Sequence, residues 1–171
     1  MQNAGKIFES SFKDSIPSDC YYLRLKDPAS SFGAQENKTL RFSVSNPFDA
    51  LLYSSPNIFT LELKSTKSTA FSFKGKTPMI KPSQVKGLTE SSKFEGVISG
   101  LVFNMREPTN RTYFLSIINF NEFVTHTTKA SINEKDIIDA GAVTIDCRLK
   151  KVKYSYRIRE FIDEMKAELV D

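Results

Sequence analysis

Three side chains with the means for phosphodiester chemistry, Asp49, Glu62 and Lys64, lie in two apolar stretches that flank Ser54-Ser55-Pro56-Asn57. Those four residues have good turn chemistry, so the stretches read as the two arms of a hairpin. With the turn at 54–57, Tyr53 faces Ile58, and the same register carried outward sets Asp49 opposite Glu62. Opposed side chains on one sheet face have Cβ atoms about 4.5–5.5 Å apart. The period of two adds Lys64 to the face of Glu62 and sends Phe59, Leu61 and Leu63 to the other face. The apolar face is expected in the core and the charged face outside it. A slip of one residue would bury the charges, which favours this register.

Two carboxylates facing each other in mid-sheet repel, and a divalent cation between them relieves that repulsion. Mg²⁺ takes an octahedron of oxygens, usually one or two carboxylates completed by water and substrate phosphate. A lysine beside it positions or activates the attacking water, or stabilises charge growing on the phosphate. The same residues also read as a cross-strand salt-bridge cluster on a solvated face, because Glu-x-Lys alone recurs by chance. Pro47 near Asp49, the hairpin length, and Glu62-Leu63-Lys64 within a strand favour the nuclease chemistry.

Composition closes other routes. The single histidine, His126, leaves no zinc cluster of histidines. No Gly-x-Ser-x-Gly elbow supplies a serine nucleophile for it. Cys20 and Cys147 lack metal-ligand spacing and are expected to be reduced, with structural or incidental roles. No leader and no long apolar run is visible, so a cytoplasmic protein without a membrane partner is expected. The net charge of +4 is mildly suggestive of a polyanion, and its distribution is more so. Residues 64–89 hold six lysines and no acid, and 148–159 hold six cations in twelve positions. Each run alone fits a solvated face equally well; the two together lean toward phosphate binding.

The elements that must position the hairpin read as follows. Phe8, Phe12 and Ile16 mark a helix over 6–16, ended by Pro17, and residues 21–25 alternate like a short strand. Residues 27–46 turn polar and are too long for an idle connection, so they are expected to form a protruding stalk or loop, with a possible strand at 40–44. Pro82 opens a helix to about residue 93, weakened by Gly87. Strands are expected at 97–105 and 113–120, a short helix at 133–140 stopped by Gly141, and a strand near 143–149. A last helix carries Ile158, Phe161, Ile162, Met165 and Leu169 on one face. This order implies an α/β fold, a mixed central sheet flanked by helices, in one domain over 1–171.

Asn46-Pro47-Phe48-Asp49 followed by Glu62-Leu63-Lys64 resembles the PD-(D/E)xK nuclease superfamily, with Phe48 inserted between the proline and the acid. Within it the chain looks like the RecU-type Holliday junction resolvases over nearly its whole length. Gly5-Lys6-Ile7-Phe8-Glu9 is similar to that family's opening helix, and Leu61-Glu62-Leu63-Lys64-Ser65-Thr66 to its acid-to-lysine strand. Pro82-Ser83-Gln84-Val85 falls where the family has a His-Gln pair opening a helix, with Ser83 in place of the histidine. Residues 94–103, Thr112-Tyr113-Phe114-Leu115 and Tyr156-Arg157-Ile158 resemble its next strand pair and C-terminal segment.

The resemblance implies a restriction-endonuclease-like core with a stalk, here 28–45, that enters the junction centre. It implies Asp49, Glu62 and the Leu63 carbonyl as ligands of Mg²⁺, with Mn²⁺ able to substitute. Glu9 becomes an outer or second-metal ligand, Lys64 the water-positioning cation and Gln84 a phosphate or water contact. Read without the resemblance, Glu9 is a solvent-exposed helix acid and Gln84 a polar residue near a helix start. The partners implied are branched DNA and a second copy of the chain. Competing readings are a nicking, repair or restriction-like endonuclease and a non-catalytic recombination accessory. Asp136 and Asp139 read as helix surface and Arg106 with Glu107 as a strand end. Phe71 and Phe73 fit either stacking on exposed bases or a place in the core.

Overall fold

In the computed structural model, residues 3–25 and 46–168 are described, and the expected stalk therefore lies outside the described residues, as does Leu169. The hairpin register is the expected one. Strand β2 (Ala50–Ser54) pairs antiparallel with β3 (Asn57–Thr66), Tyr53 facing Ile58 and Ser54 facing Asn57, so the turn tightens to Ser55 and a cis Pro56. Upstream, β1 (Tyr21–Arg24) lies antiparallel to β2 and brings Arg24 opposite Ala50.

Beyond β3 the chain crosses through helix α2 (Pro82–Ser91) to β5 (Val97–Met105), which runs parallel to β3. A parallel neighbour needs such a crossover, because a tight turn cannot reverse the chain twice. Strands β6 (Arg111–Ser116) and β8 (Val143–Thr144) complete a mixed six-stranded sheet in the order β1-β2-β3-β5-β6-β8. The small ladder β4 (Ala70–Ser72) with β7 (Ser131–Asn133) was not anticipated from the sequence.

Both faces of the sheet are covered. On one, α1 (Ala4–Asp14) and α5 (Ile158–Ala167) pack Phe8, Phe12, Ile158, Phe161, Ile162 and Met165 against Phe59, Leu61, Leu63 and Val102. The Phe161 ring sits 5.6 Å from Phe59 and 5.1 Å from Phe114, a contact whose truncation to alanine costs about 3–5 kcal/mol. On the other face, Leu88 of α2, Phe120 of α3 (Ile117–His126) and Ile137 of α4 (Glu134–Asp139) meet Leu101, Phe103 and Leu115. Phe71 and Phe73 belong to this second layer and are buried, which assigns them to the core rather than to base stacking.

Two expected strands are shorter than their apolar runs. The strand expected at 113–120 stops at Ser116, whose hydroxyl accepts from the Asn119 N–H at 3.2 Å and starts α3 without a connecting loop. The one expected at 143–149 divides into β8 and a separate hairpin, β9 (Cys147–Lys150) and β10 (Lys153–Tyr156). The hairpin turn places Lys151 at φ 55° with no glycine or asparagine to announce it. Among the described residues no helix is long and apolar enough to cross a membrane.

Candidate active site

The β2–β3 ladder ends at Ala50, paired with Leu61. Here β2 bends away. The Asp49 N–H still donates to the Leu61 carbonyl at 3.0 Å, a one-residue shift from the register that precedes it. Asp49 therefore does not sit squarely across from Glu62, as simple alternation had it. Its carboxylate swings to the open edge of β3 and accepts from the Leu63 N–H at 2.9 Å. Within a strand the N–H and C=O of one residue point to the same side, so the Leu63 carbonyl faces that edge too.

Glu62 departs from expectation in a more telling way. It is 1% exposed, not on an open face, because α2 lies across the sheet at this point. Three contacts hold α2 there. Gly87 has room for no Cβ, which would stand 2.2 Å from the Pro47 carbonyl oxygen. The hydroxyls of Thr60, Ser91 and Ser99 form a closed cluster with separations of 2.7–2.9 Å. Leu88 fills the apolar layer beneath. The glycine that weakens the helix in sequence is thus the one that lets it approach the Pro47–Asp49 segment.

Buried in this way, Glu62 meets Lys64 at 2.9 Å, and Gln84 of α2 donates to the same Oε1. Gln84 Oε1 accepts from Lys64 Nζ at 3.0 Å and from the Lys81 N–H at 2.9 Å. Acid, amide and ammonium therefore fix one another, each held by the other two. The second carboxylate oxygen of Glu62 is buried and accepts no hydrogen bond from any described residue. Burial and, next, the charge of Asp49 push the Glu62 carboxyl from 4.5 up to about 7, with Lys64 opposing both. An orphaned carboxylate oxygen beside a second acid, in a place where negative charge is disfavoured, has the chemistry of a divalent-cation site.

Glu9 arrives from the opposite face of the sheet on α1, and it does not touch this pair directly. Arg24 stands between: its Nε lies 3.1 Å from Glu9 Oε2, and a terminal nitrogen lies 3.4 Å from Asp49 Oδ1. The same guanidinium donates to the carbonyls of Leu25 (2.7 Å) and Asp49 (2.9 Å). Among the described residues no group of three or more Asp, Glu, His and Cys side chains is gathered closely enough to hold a metal. Asp49 and Glu62 make the nucleus of a site, and Glu9 is linked to it through Arg24.

Arg24 is the residue that reading the sequence missed. Alternation over 21–25 marks a strand but not its neighbour, and only the antiparallel pairing with β2 sets Arg24 beside the start of the Asp49 arm. Tyr22, two residues earlier, shares that face. Its hydroxyl is buried without a hydrogen-bond partner among the described residues, and burial raises its pKa. Asp139 is helix surface, paired with Lys135, whereas Asp136 is half-buried: it pairs with Lys129 and accepts from the Asn133 N–H to close the capping box of α4.

No family model matches the chain. Among solved structures, the Holliday junction resolvase Hjc of Archaeoglobus fulgidus aligns with a TM-score of 0.42 and 13% identity, covering 69% of this chain and 78% of that one. A relative by sequence is the SPbeta prophage-derived uncharacterized protein YotM of Bacillus subtilis (strain 168). It is 33% identical over 181 aligned positions, which take in 95% of this chain and 87% of that protein. With that identity along nearly its whole length, the chain belongs to the family of this prophage protein.

Proposed function

We propose that this protein is a metal-dependent DNA endonuclease of the PD-(D/E)xK type, a single nuclease domain that resolves four-way junctions in the manner of the RecU-type resolvases it resembles. The observation that carries the reading is the buried Glu62, its free oxygen beside Asp49 and its other oxygen held by Lys64 and Gln84. A salt-bridge cluster on a solvated face has no use for an acid that is 1% exposed with an unsatisfied oxygen. Such a group is expensive to keep and marks a functional position.

Asp49, Glu62 and the Leu63 carbonyl would hold Mg²⁺ or Mn²⁺, with Glu9 as an outer ligand. When bound, the cation supplies Lewis acidity and lowers the pKa of a coordinated water. Lys64 then orients the attacking water and faces the charge that grows on the scissile phosphate. Gln84 holds Lys64 and Glu62 in register, and its amide is also within reach of a water or phosphate at that point. Arg24 stands between Glu9 and Asp49 where positive charge is wanted, and so competes with the cation for Asp49. Water attack in line with the 3′ oxygen would break the P–O3′ bond, the 3′ oxygen leaving as the hydroxyl and the phosphate staying on the 5′ end, the products the resemblance implies. A homodimer presents two such sites, matching the near two-fold symmetry of a four-way junction.

The test is incubation of the purified protein with a labelled four-way junction and a matched linear duplex, in Mg²⁺, Mn²⁺ or EDTA, beside the Asp49→Ala variant. Paired symmetric cuts in the junction alone, lost in EDTA and in the variant, are expected. Equal cutting of both DNAs would replace junction resolution by a less selective endonuclease. DNA binding without cutting in either metal would overturn the enzyme reading in favour of a recombination accessory.

A further inference from the structure

The cationic stretch 148–159 divides into two parts once its partners are known. Arg157 pairs with Glu160 and Arg159 with Asp19, so its C-terminal end is neutralised within the chain. Arg148, Lys150 and Lys151 are exposed and have no carboxylate of a described residue within ion-pair distance. All three lie on the β9–β10 hairpin.

Its two faces differ sharply. In the observed register Tyr154 faces Leu149 and Tyr156 faces Cys147. Period two puts these four on one side, where Tyr156 packs 5.6 Å from the Phe8 ring of α1. The opposite side carries Arg148, Lys150 and Lys153, with Lys150 and Lys153 directly across from each other. Like charges so placed destabilise a ladder. Lys153 finds Asp14 at 3.4 Å, an exposed contact too weak to offset both neighbours. Lys151 and Val152 form the tip, and Val152 is 89% exposed. A short ribbon with an uncompensated cationic face and an apolar tip fits a polyanion with a groove, as β-ribbons do in DNA recognition.

We propose that the outer face of the β9–β10 hairpin is a second DNA contact, which grips the phosphates of a duplex arm while its tip enters the groove. The inference rests on the nuclease reading only for the choice of DNA as the polyanion. Its place on α1 suits that task. Asp14, the ion partner of Lys153, is five residues along the helix from Glu9, about 7.5 Å of rise. That span is roughly two nucleotide steps of about 3.4 Å each.

Binding of the full chain to a linear duplex in EDTA, where no cut is made, is measured across a series of salt concentrations. Each phosphate contact contributes about −0.9 to the slope of log K against log salt. The variant Arg148→Ala/Lys150→Ala/Lys151→Ala/Lys153→Ala is expected to bind with a slope shallower by about 3.6. Lys150→Gln/Lys153→Gln guards against a folding defect, because it removes a repulsive pair: its melting temperature should rise while its slope falls by about 2. Lys93→Ala/Lys135→Ala, at exposed lysines each paired with a nearby carboxylate (Glu90 and Asp139), should leave the slope unchanged. An unchanged slope in the hairpin variants overturns the inference. So does hairpin-dependent binding to phosphatidylserine vesicles with none to duplex. If the wild type cuts DNA but its slope ignores the hairpin, this inference alone fails. If the slope responds and no metal supports cutting, the nuclease reading alone fails.

Discussion

Replacing Glu62 by glutamine should stabilise the metal-free protein while abolishing its activity. Burial lifts the Glu62 carboxyl from 4.5 to about 7, so between those values the folded chain holds a proton that the unfolded chain has released. With more protons bound in the native state, stability falls as pH rises through this window and stays low above it. The span of about 2.5 pH units at about 1.36 kcal/mol each makes the loss about 3 kcal/mol. Glutamine mimics the protonated acid at every pH: it keeps an acceptor for Lys64 and adds no charge beside Asp49. In EDTA at pH 8, Glu62→Gln should therefore melt about 10 °C above the wild type, given about 2–4 °C per kcal/mol for a chain of this size. At pH 4 the two should coincide. Adding Mg²⁺ at pH 8 should raise the wild-type melting temperature and leave the variant unmoved, because only the former offers the cation its site. Calorimetric scans over this pH range provide the readout. A shift of equal size at both pH values, or none, would refute the claim that a buried charge only partly compensated by Lys64 sits at position 62.

Gly87→Ala should destabilise the fold by about 1–2 kcal/mol in urea even though alanine favours helix by about 1 kcal/mol, because its Cβ overpacks the Pro47 backbone. An unchanged urea midpoint would mean that α2 does not press on the Asp49 segment. Arg24→Gln should tighten Mn²⁺ binding about tenfold in titration calorimetry, an effect of about 1.4 kcal/mol, by removing a cation 3.4 Å from Asp49. Weaker binding would show that Arg24 organises the ligands rather than competing with the metal. Lys64→Met should slow junction cutting by at least about a hundredfold with DNA binding retained, and near-normal cutting would remove Lys64 from the chemistry.

What the sequence made legible was whatever local periodicity controls. The β2–β3 register followed from turn chemistry plus alternation, and the buried face of α5 from helical spacing at Ile158, Phe161, Ile162 and Met165. Asp49, Glu62, Lys64 and Gln84 do converge. What stayed hidden depends on contacts distant in the chain. The burial of Glu62 is imposed by α2, and nothing within the hairpin foretells it. Arg24 required knowing which strand lies beside β2. The split of 113–120 into strand and helix turns on the single cap at Ser116, inside an apolar run that suits either state. The β9–β10 turn was masked because a lysine adopts the conformation normally signalled by glycine or asparagine.

The parallel pairing of β3 with β5 has a consequence for how the chain is made. Chains emerge from the ribosome N-terminus first, and domains fold as units once their parts are available. The β2–β3 hairpin can close early, since its turn is two residues long. The burial of Glu62 and the grip of Gln84 on Lys64 wait for α2 to be pressed into place, and α2 is pinned by Ser99 on β5. Until β5 has been made, α2 lacks the strand that pins it, and with it the position from which Gln84 reaches Glu62. A chain interrupted before that point carries Asp49, Glu62, Lys64 and Gln84 without the packing that buries Glu62 and holds Gln84 against it.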